Sequence, residues 1–244
     1  MNKKVIIQIP FNVQGFNKKN ELDKKWIRYR LMLFVNYNLK SLKAQTNQHF
    51  TALFRCRDKT IPYIKKEIGG KLPENVLIVG VNEYQKKIKE LIKDYNYLYL
   101  VRMDSDDLYV NLFVDTIQNY NPKPETEVLI SQDCYTYDII QKKLAYFWYN
   151  SPQSFILIYK TKDYNQGKRY YLKNGHGGAI LLNHEFITGV NYMDTVHGRN
   201  DSSYFEGKKG GKKRWSEIED KDDIEEILNN FGISMERKAI NEKK

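Results

Sequence analysis

The stretch YLYLVRMDSDDLYV, residues 97–110, decides how this chain folds and raises the main question about its function. Seven mostly apolar and aromatic residues, 97–103, run directly into Asp104, Asp106 and Asp107. A nearly continuous apolar run of this length is typical of a strand buried on both faces of a parallel sheet. Three carboxylates at the end of such a strand raise one another's pKa unless a cation joins them. The sequence therefore predicts a buried strand that ends in a chemically special turn.

Upstream of this stretch, apolar runs alternate with helical patterns. We predict strands at 4–11, 49–57, 75–81 and 97–103, and helices at 21–45, 62–69 and 83–95. Continuous apolar strands separated by helices indicate a parallel sheet that is covered by helices on both faces. The predicted fold class is α/β, with a mostly parallel central sheet.

After residue 120 the pattern changes to short apolar runs separated by turn signals, which predicts antiparallel strands added to the same sheet in the C-terminal half. Residues 175–187 read as a glycine-rich start, an apolar strand and a short helix. An acidic amphipathic helix over 218–233, capped near Gly232, closes the pattern, and residues 235–244 are predicted to fray. No linker separates two domains, so we predict one domain over 1–244, with halves at 1–120 and 121–234.

Composition narrows the classes of protein that this chain can belong to. No apolar run approaches the ~18 residues of a membrane span, and the widely spaced Cys56 and Cys134 indicate neither a zinc site nor a disulfide framework. A reducing, cytoplasmic location fits best. The net charge of +10 suggests a polyanionic partner. Since the lysines are scattered and only 207–214 is dense, attraction to an anionic ligand or membrane surface is favoured over a nucleic-acid site.

The acidic turn is the strongest candidate site. Carboxylates at the carboxyl end of a parallel strand lie where such sheets bind ligands, and a hard divalent cation, Mg²⁺ or Mn²⁺, takes oxygen ligands together with substrate phosphates. The alternative is that Asp104 or Asp106 caps a helix that starts near Leu108. Capping explains one aspartate and leaves the other two unexplained, so the metal and phosphate interpretation is preferred.

The turn also resembles a known signature. A hydrophobic strand followed by Arg-x-Asp-Ser-Asp-Asp is similar to the DxD motif of GT-A glycosyltransferases, and IIQIPFN at 6–12 resembles the first strand of that family. Residues of the first helix and second strand resemble a pattern in the rhamnosyltransferase-like group: Arg30, Phe34, Ser41, Leu42, Gln45, Thr46 and Phe50. The resemblance covers 4–120 well and 170–231 loosely. It implies a Rossmann-like GT-A fold whose first half binds a nucleotide-diphosphate sugar.

The resemblance also implies an activity and a metal. The family transfers a sugar from the nucleotide to an acceptor hydroxyl, and the acceptor here would be a glycan, a lipid-linked molecule or a protein. Mn²⁺ or Mg²⁺ would be bound by Asp104, Asp106 and Asp107, with His197 as the further ligand that many such enzymes recruit from their C-terminal part. An ordinary structural role for His197 is the alternative.

Four other residues are candidates for binding the nucleotide, besides Asp104 and Ser105 in the turn. Asp58 ends the second strand where the family's aspartate meets the nucleobase, and the alternative is a turn residue. Asn12 and Gly15 follow the first strand and would let the backbone approach the nucleotide, although a plain loop fits equally well. Arg102 would neutralise either a diphosphate or one aspartate.

The second half must supply the acceptor site and the base. His176 and Gly177 are further candidates for binding the nucleotide sugar. They lie in a glycine-rich segment that suits close approach of a sugar ring, where His176 would hydrogen-bond a hydroxyl or phosphate, and a surface turn is the alternative. The resemblance places the general base at Asp201, although Asn200 replaces the usual glutamate, and Asp194 is the rival. The lysine-rich segment 207–214 is a candidate lid over the diphosphate, or a contact for an anionic acceptor or membrane. Inversion or retention at the sugar stays open.

Two other function classes compete with sugar transfer. A metal-dependent phosphotransferase, nucleotidyltransferase or hydrolase would use the same acidic cluster, but the sequence contains no Walker-type glycine-rich loop and the cluster does not follow the first strand. A noncatalytic basic protein that binds polyanions would account for the net charge and leave the carboxylates unexplained.

Overall fold

The computed structural model describes residues 2–13, 22–173, 175–200, 204–206 and 214–234. Within these ranges the first half follows the predicted alternation of strands and helices. The strands are β1 (Lys3–Pro10), β2 (Phe50–Cys56), β3 (Val76–Gly80) and β4 (Tyr97–Arg102). The helices are α1 (Lys24–Leu33), α2 (Leu39–Lys43), α3 (Ile61–Ile68) and α4 (Tyr84–Ile92). A π-helical turn, Phe34–Asn38, joins α1 to α2, so the long first helix is continuous in its described part.

The second half contains shorter elements. Its strands, with a two-residue strand that follows the acidic turn, are β5 (Leu108–Tyr109), β6 (Val128–Ile130), β7 (Asp133–Asp138), β8 (Lys143–Trp148), β9 (Phe155–Lys160), β10 (His184–Phe186), β11 (Tyr192–Val196) and β12 (Trp215–Ile218). Its helices are α5 (Phe113–Asn119), α6 (Thr161–Asn165) and α7 (Lys221–Asn230).

The described strands form two sheets, and the first contains the predicted parallel core. Its order is β10-β6-β9-β4-β1-β2-β3. Strand β1 pairs in parallel with both β2 and β4, and β2 pairs in parallel with β3. The α/β prediction is therefore confirmed: a mostly parallel sheet is flanked by helices, and antiparallel strand β9 extends it beside β4.

The prediction that all later strands join this sheet is wrong. Strands β12, β8, β7, β11 and β5 form a second sheet in that order. The reason lies in strand pairing. Strand β6 pairs with β9 in the first sheet, whereas β7, which begins three residues after β6 ends, pairs with β8 and β11 in the second.

The predicted strand and helix within 175–187 are also wrong. Residues Gly175–Leu181 form a 3₁₀ helix, and the short strand β10 follows it. Two glycines favour this path. Gly175 has φ of +74°, and a Cβ at Gly178 would lie 2.2 Å from the carbonyl oxygen of Lys173.

Apolar side chains pack on both faces of the first sheet. One cluster lies under α1 and α3 and includes Phe34 and Phe54, whose rings are 4.3 Å apart. A second cluster lies under α4 and includes Ile88. A third joins the second sheet to α7 through Leu228. Helix α7 ends at the predicted position, because Gly232 takes φ of +75° against the C-terminal turn of α2.

Cys56 and Cys134 are both buried and free. In the part of the chain that the structure describes, no helix has the length and hydropathy needed to cross a bilayer.

Candidate functional site

The acidic turn, Asp104–Asp107, connects the buried strand β4 to β5. The backbone N–H of Asp107 donates to the carbonyl of Asp104 at 3.2 Å, which closes the turn. The residues that follow, Leu108–Tyr109, form a strand, and the next helix starts only at Phe113. Neither Asp104 nor Asp106 therefore caps a helix, and the capping alternative is wrong.

Polar side chains on one face of the first helix hydrogen-bond to the backbone of the turn. The side-chain amide of Asn38 donates to the carbonyl oxygens of Asp104 (2.8 Å) and Asp107 (3.0 Å). Further along the helix, the amide of Gln45 donates to the carbonyl of Val110 at 2.8 Å, and its oxygen accepts from the N–H of Val114 at 3.0 Å. The π-helical turn ends at Asn38, and such turns often occur at functional sites because they rotate one residue out of the regular helical face.

Asp106 points into the protein and is bound by an arginine from α1. The Arg30 guanidinium donates through Nη1 to Oδ2 (2.9 Å) and through Nη2 to Oδ1 (3.0 Å) of Asp106. Its Nη2 also donates to the hydroxyl of Ser105 at 2.9 Å. His197 Nε2 lies 3.0 Å from Asp106 Oδ2. Ser105, predicted to bind the nucleotide, is buried and instead holds Arg30 in place.

These contacts fix the charge state of the pair. Although burial alone would raise the pKa of Asp106, Arg30 and the hydrogen bond from His197 hold it well below its usual range. Burial alone would lower the pKa of Arg30, but Asp106 and the two neighbouring aspartates raise it above its ordinary value. Both groups are therefore ionised, and they form a bidentate pair inside the protein.

His197 is held by its own loop. The backbone N–H of Arg199 lies 3.4 Å from His197 Nδ1. On the other side of the ring, Nε2 lies 3.0 Å from Asp106 Oδ2 and 3.1 Å from Arg30 Nη1. Tyr29 donates its hydroxyl to the carbonyl of His197 at 3.1 Å. The side chain of Asn200 accepts from the His197 N–H at 2.7 Å and donates to the Thr195 carbonyl at 2.7 Å. Asn200 therefore has a structural role.

Asp104 lies on the other, more open side of the turn. Arg102 Nη2 donates to Asp104 Oδ1 and Oδ2 at 2.8 and 3.1 Å, and Arg102 Nη1 donates to the carbonyl of Gln153 at 3.1 Å. A third of the Asp104 side chain is exposed (33%). A small cavity adjoins this side, lined by Arg102, Met103, Asp104, Asp107, Leu108, Tyr109, Gln153, Ser154 and Tyr192. Of the two predicted roles for Arg102, neutralising an aspartate is the one observed.

Asp107 lies between the two sides and is buried. Burial raises its pKa well above the usual value, and the nearby carboxylates of Asp194, Asp106 and Asp104 raise it further. Its hydrogen bonds are long: the Thr195 N–H lies 3.4 Å from Oδ1. Asp194, one of the two candidate bases, is buried in β11, and its carboxylate is one of those that raise the pKa of Asp107.

The predicted metal ligands do not fit a divalent ion in this arrangement. Among the described residues, no group of three or more acidic, histidine or cysteine side chains is placed to hold a metal. Asp106 and His197 do lie together, but Arg30 binds both oxygens of Asp106. Asp104 pairs with Arg102, and Asp107 is buried between the two sides of the turn.

The candidate nucleotide residues at the other strand ends divide into two kinds. Asn12 is buried, and its side chain donates to Thr60 Oγ1 (3.1 Å) and accepts from the N–H of Arg57 (2.9 Å), so it ties two loops together. Asp58 is exposed and starts a short 3₁₀ helix after β2. It lies so close to Gly80 that a Cβ there would be 2.1 Å from Asp58 Oδ1. A side chain at position 80 would therefore force the Asp58 carboxylate to move.

On the acceptor side, the structure places only some of the predicted residues. His176 and Gly177 lie in the 3₁₀ helix, where the hydroxyl of Ser151 is 3.4 Å from the His176 carbonyl. Gly15, Asp201 and residues 207–213 of the lysine-rich segment lie outside the described residues.

Two residues that hold the acidic turn were not identified from the sequence. Arg30 was noted only as part of a resemblance, and its pairing with Asp106 joins positions 76 apart in the chain. Asn38 was not noted. Arg30, Asn38 and Ser41 lie at helical spacing, and polar residues repeated on one face of the first helix are the signal that could have found them.

Comparison with known proteins gives a likeness of fold alone. No family model matches the sequence, and no curated protein matches it. Among solved structures, S. aureus TarS 1–349 in complex with UDP-GlcNAc is 15% identical with a TM-score of 0.44, covering 82% of this chain and 61% of that one. This chain thus spans about three-fifths of the TarS 1–349 chain that it matches.

Two further solved structures are similar at the same level. A protein assigned as a nucleotide-diphospho-sugar transferase from Desulfovibrio desulfuricans G20 is 12% identical with a TM-score of 0.36, covering 80% of this chain and 81% of its own. A cytidylyltransferase from Leptospira borgpetersenii is 14% identical with a TM-score of 0.37, covering 83% and 79%. All three TM-scores are below 0.5, and all three identities are 15% or less.

Proposed function

We propose that this protein is a glycosyltransferase that moves a sugar from a nucleotide-diphosphate sugar to an acceptor hydroxyl. The observation that carries the proposal is the open side of the acidic turn. There, the partly exposed Asp104 and its partner Arg102 lie at the carboxyl end of β4, which pairs in parallel with β1. This is the edge at which parallel sheets bind ligands. The resemblance of Arg102–Asp107 to the DxD signature supports a nucleotide sugar as that ligand.

In this proposal the donor lies across the strand ends. Asp58, exposed beside Gly80 at the ends of β2 and β3, accepts hydrogen bonds from the nucleobase. Asp104 accepts from the ribose hydroxyls, and Arg102 faces the diphosphate. Arg102 already pairs with Asp104, so both side chains are ordered before the ligand binds. The entropy cost of ordering them on binding is therefore small.

The reaction needs one proton acceptor. A carboxylate takes the proton from the acceptor hydroxyl, whose oxygen attacks the anomeric carbon while the bond to the diphosphate breaks and the nucleoside diphosphate leaves with the electron pair. Asp201 is the first candidate and Asp194 the second. Donors fixed around the leaving oxygens stabilise the charge that develops there. The predicted Mn²⁺ or Mg²⁺ stays a prediction, and no step described above depends on it.

The acceptor belongs to one of three classes: a glycan, a lipid-linked molecule or a protein. His176 and Gly177 are proposed to contact it, because their 3₁₀ helix packs against the loop that leads to Gln153 at the cavity. The lysine-rich segment 207–214 is proposed either to cover the diphosphate or to contact an anionic acceptor or membrane surface.

The first test is a thermal-shift panel of UDP-, GDP-, dTDP- and CDP-sugars. A ligand at a hundred times its Kd stabilises the folded state by about 2.7 kcal/mol, which corresponds to a rise in Tm of roughly 5 to 10 °C for a chain of this size. We expect one nucleotide class to give this shift. A panel in which no nucleotide sugar changes Tm would contradict the proposal.

Matched variants show which residues the Tm shift depends on. Asp104→Ala and Asp58→Ala should each abolish the shift, whereas Asp94→Ala, an exposed aspartate at the end of α4, should keep it. The product separates sugar transfer from nucleotidyl transfer: slow hydrolysis of the donor should release a nucleoside diphosphate, while a nucleotidyltransferase would release pyrophosphate from a nucleoside triphosphate. Asp201→Ala and Asp194→Ala, assayed in parallel, identify the base by loss of turnover with the Tm shift retained.

A further inference from the structure

The buried side of the acidic turn contains a triangle of three polar atoms from distant parts of the chain. Arg30 Nη1 lies 2.9 Å from Asp106 Oδ2 and 3.1 Å from His197 Nε2, and those two atoms are 3.0 Å apart. An aspartate oxygen and an imidazole nitrogen at this separation are able to bind one divalent ion together, at about 2.0–2.2 Å from each. The third corner is already a cation.

The position of that cation is incompatible with an ion at the same two atoms. Arg30 Nη1 lies within 3.1 Å of both possible ligands, so a divalent ion bound to them from that side would overlap the guanidinium. Arg30 is also held firmly: Nη2 binds Asp106 Oδ1 and the Ser105 hydroxyl, and only 16% of the side chain is exposed.

Two carboxylates of the turn already have cationic partners within the protein. Arg30 pairs with Asp106, and Arg102 pairs with Asp104. Ion pairing inside the protein therefore does for these two carboxylates what the sequence analysis expected of a divalent ion.

We infer that Arg30 is a built-in cation that takes the place of a divalent metal ion between Asp106 and His197, so that the acidic turn is complete without a metal. A direct consequence follows. Removing the Arg30 side chain should open a site for a divalent ion on the two groups that remain, as a new property that the wild-type chain lacks. The inference stands on the contacts of Arg30 and does not depend on which group the protein transfers.

The test is a titration with MnCl₂ alone, with no nucleotide present, followed by the EPR signal of free Mn²⁺ and by Tm. Wild type should leave the signal unchanged up to millimolar Mn²⁺. Arg30→Ala should bind Mn²⁺ at least tenfold more tightly than wild type and gain Tm on binding. The double variants Arg30→Ala/Asp106→Asn and Arg30→Ala/His197→Ala should lose this binding, and Arg28→Ala, an exposed arginine two residues earlier in α1, should behave as wild type.

Two results would overturn the inference. Tight Mn²⁺ binding by wild type that is lost in Asp106→Asn would show that Arg30 does not occupy the ion's place. If neither wild type nor Arg30→Ala binds Mn²⁺, Asp106 and His197 do not form a latent metal site. If Arg30→Ala does not fold, as judged by circular dichroism, Arg30→Gln serves in its place, and the wild-type titration decides the first point by itself. Because no nucleotide is used, failure here is distinguishable from failure of the proposed function.

Discussion

The two sides of the acidic turn hold their carboxylates in different ways. On the buried side, Asp106 is 10% exposed and bound by Arg30 from a distant helix and by His197, whose side chain is fully buried. On the open side, Asp104 is 33% exposed and bound by its near neighbour Arg102 at the edge of a cavity. The difference teaches that one short acidic motif can contain both a buried charge, which fixes the turn, and a charge that is partly open to solvent.

The largest expected effect is on the buried side. Asp106→Ala leaves Arg30 buried without a counter-ion and should lower the free energy of unfolding by about 3–5 kcal/mol. Because the folded pKa of Asp106 lies below that of the unfolded chain, this contribution is present above pH ~4 and is lost as the pH falls further. Denaturant unfolding at pH 7 measures it.

The matched control for this loss is Asp94→Ala, an exposed aspartate whose removal should change stability by less than about 0.5 kcal/mol. Equal effects of the two variants would mean that Arg30 finds another partner and that the buried side is not special.

His197→Ala tests the second partner of Asp106. The variant removes a fully buried ring and one hydrogen bond while Arg30 remains, so we expect a loss of about 2 kcal/mol. His184→Ala, an exposed histidine on β10, is the control and should be close to wild type. A loss as large as that of Asp106→Ala would show that the histidine, and not the arginine, is the main partner.

Asp107→Asn tests the residue between the two sides. The folded pKa of Asp107 is raised, so the folded state binds its proton more tightly than the unfolded state does. Wild type therefore loses stability as the pH rises above ~4, until the raised pKa is passed. Asparagine does not titrate, and the variant should be more stable than wild type at pH 7 and equal to it near pH 4. A difference that does not change with pH would contradict this account.

The smallest effect on stability is expected on the open side. Asp104→Ala removes an ion pair that is partly solvated, and such pairs contribute at most about 1 kcal/mol. Thermal unfolding without ligand should therefore be close to that of wild type, although the nucleotide response is lost. A destabilisation comparable to that of Asp106→Ala would remove the distinction between the two sides.

The strands and helices of the first half were predictable because each is decided by local pattern. The apolar runs that became β1 to β4 are buried on both faces, and such strands can be recognised without knowing their neighbours. The second sheet was not predictable in the same way. The run 127–138 gives one strand to each sheet, and only the pairing of β6 with β9 and of β7 with β8 separates them.

The site shows the same division. Asp104, Asp106 and Asp107 were found because three carboxylates at a strand end are rare in a sequence. Arg102, two positions before Asp104, was predicted to neutralise an aspartate and does so. The pairing of Arg30 with Asp106, across 76 positions, was not predicted, and only the resemblance placed His197, 91 positions away, beside the turn. No local pattern contains that information.

The sequence by itself determined a parallel α/β core and the place of an acidic turn at the end of its fourth strand, because burial and chain periodicity are local properties. Only the tertiary structure decided how the buried charge of Asp106 is neutralised. The packing of the first helix and of the loop after β11 brings Arg30 and His197 to 2.9 and 3.0 Å from its carboxylate, and ion pairing acts over short distances in space whatever the distance along the chain.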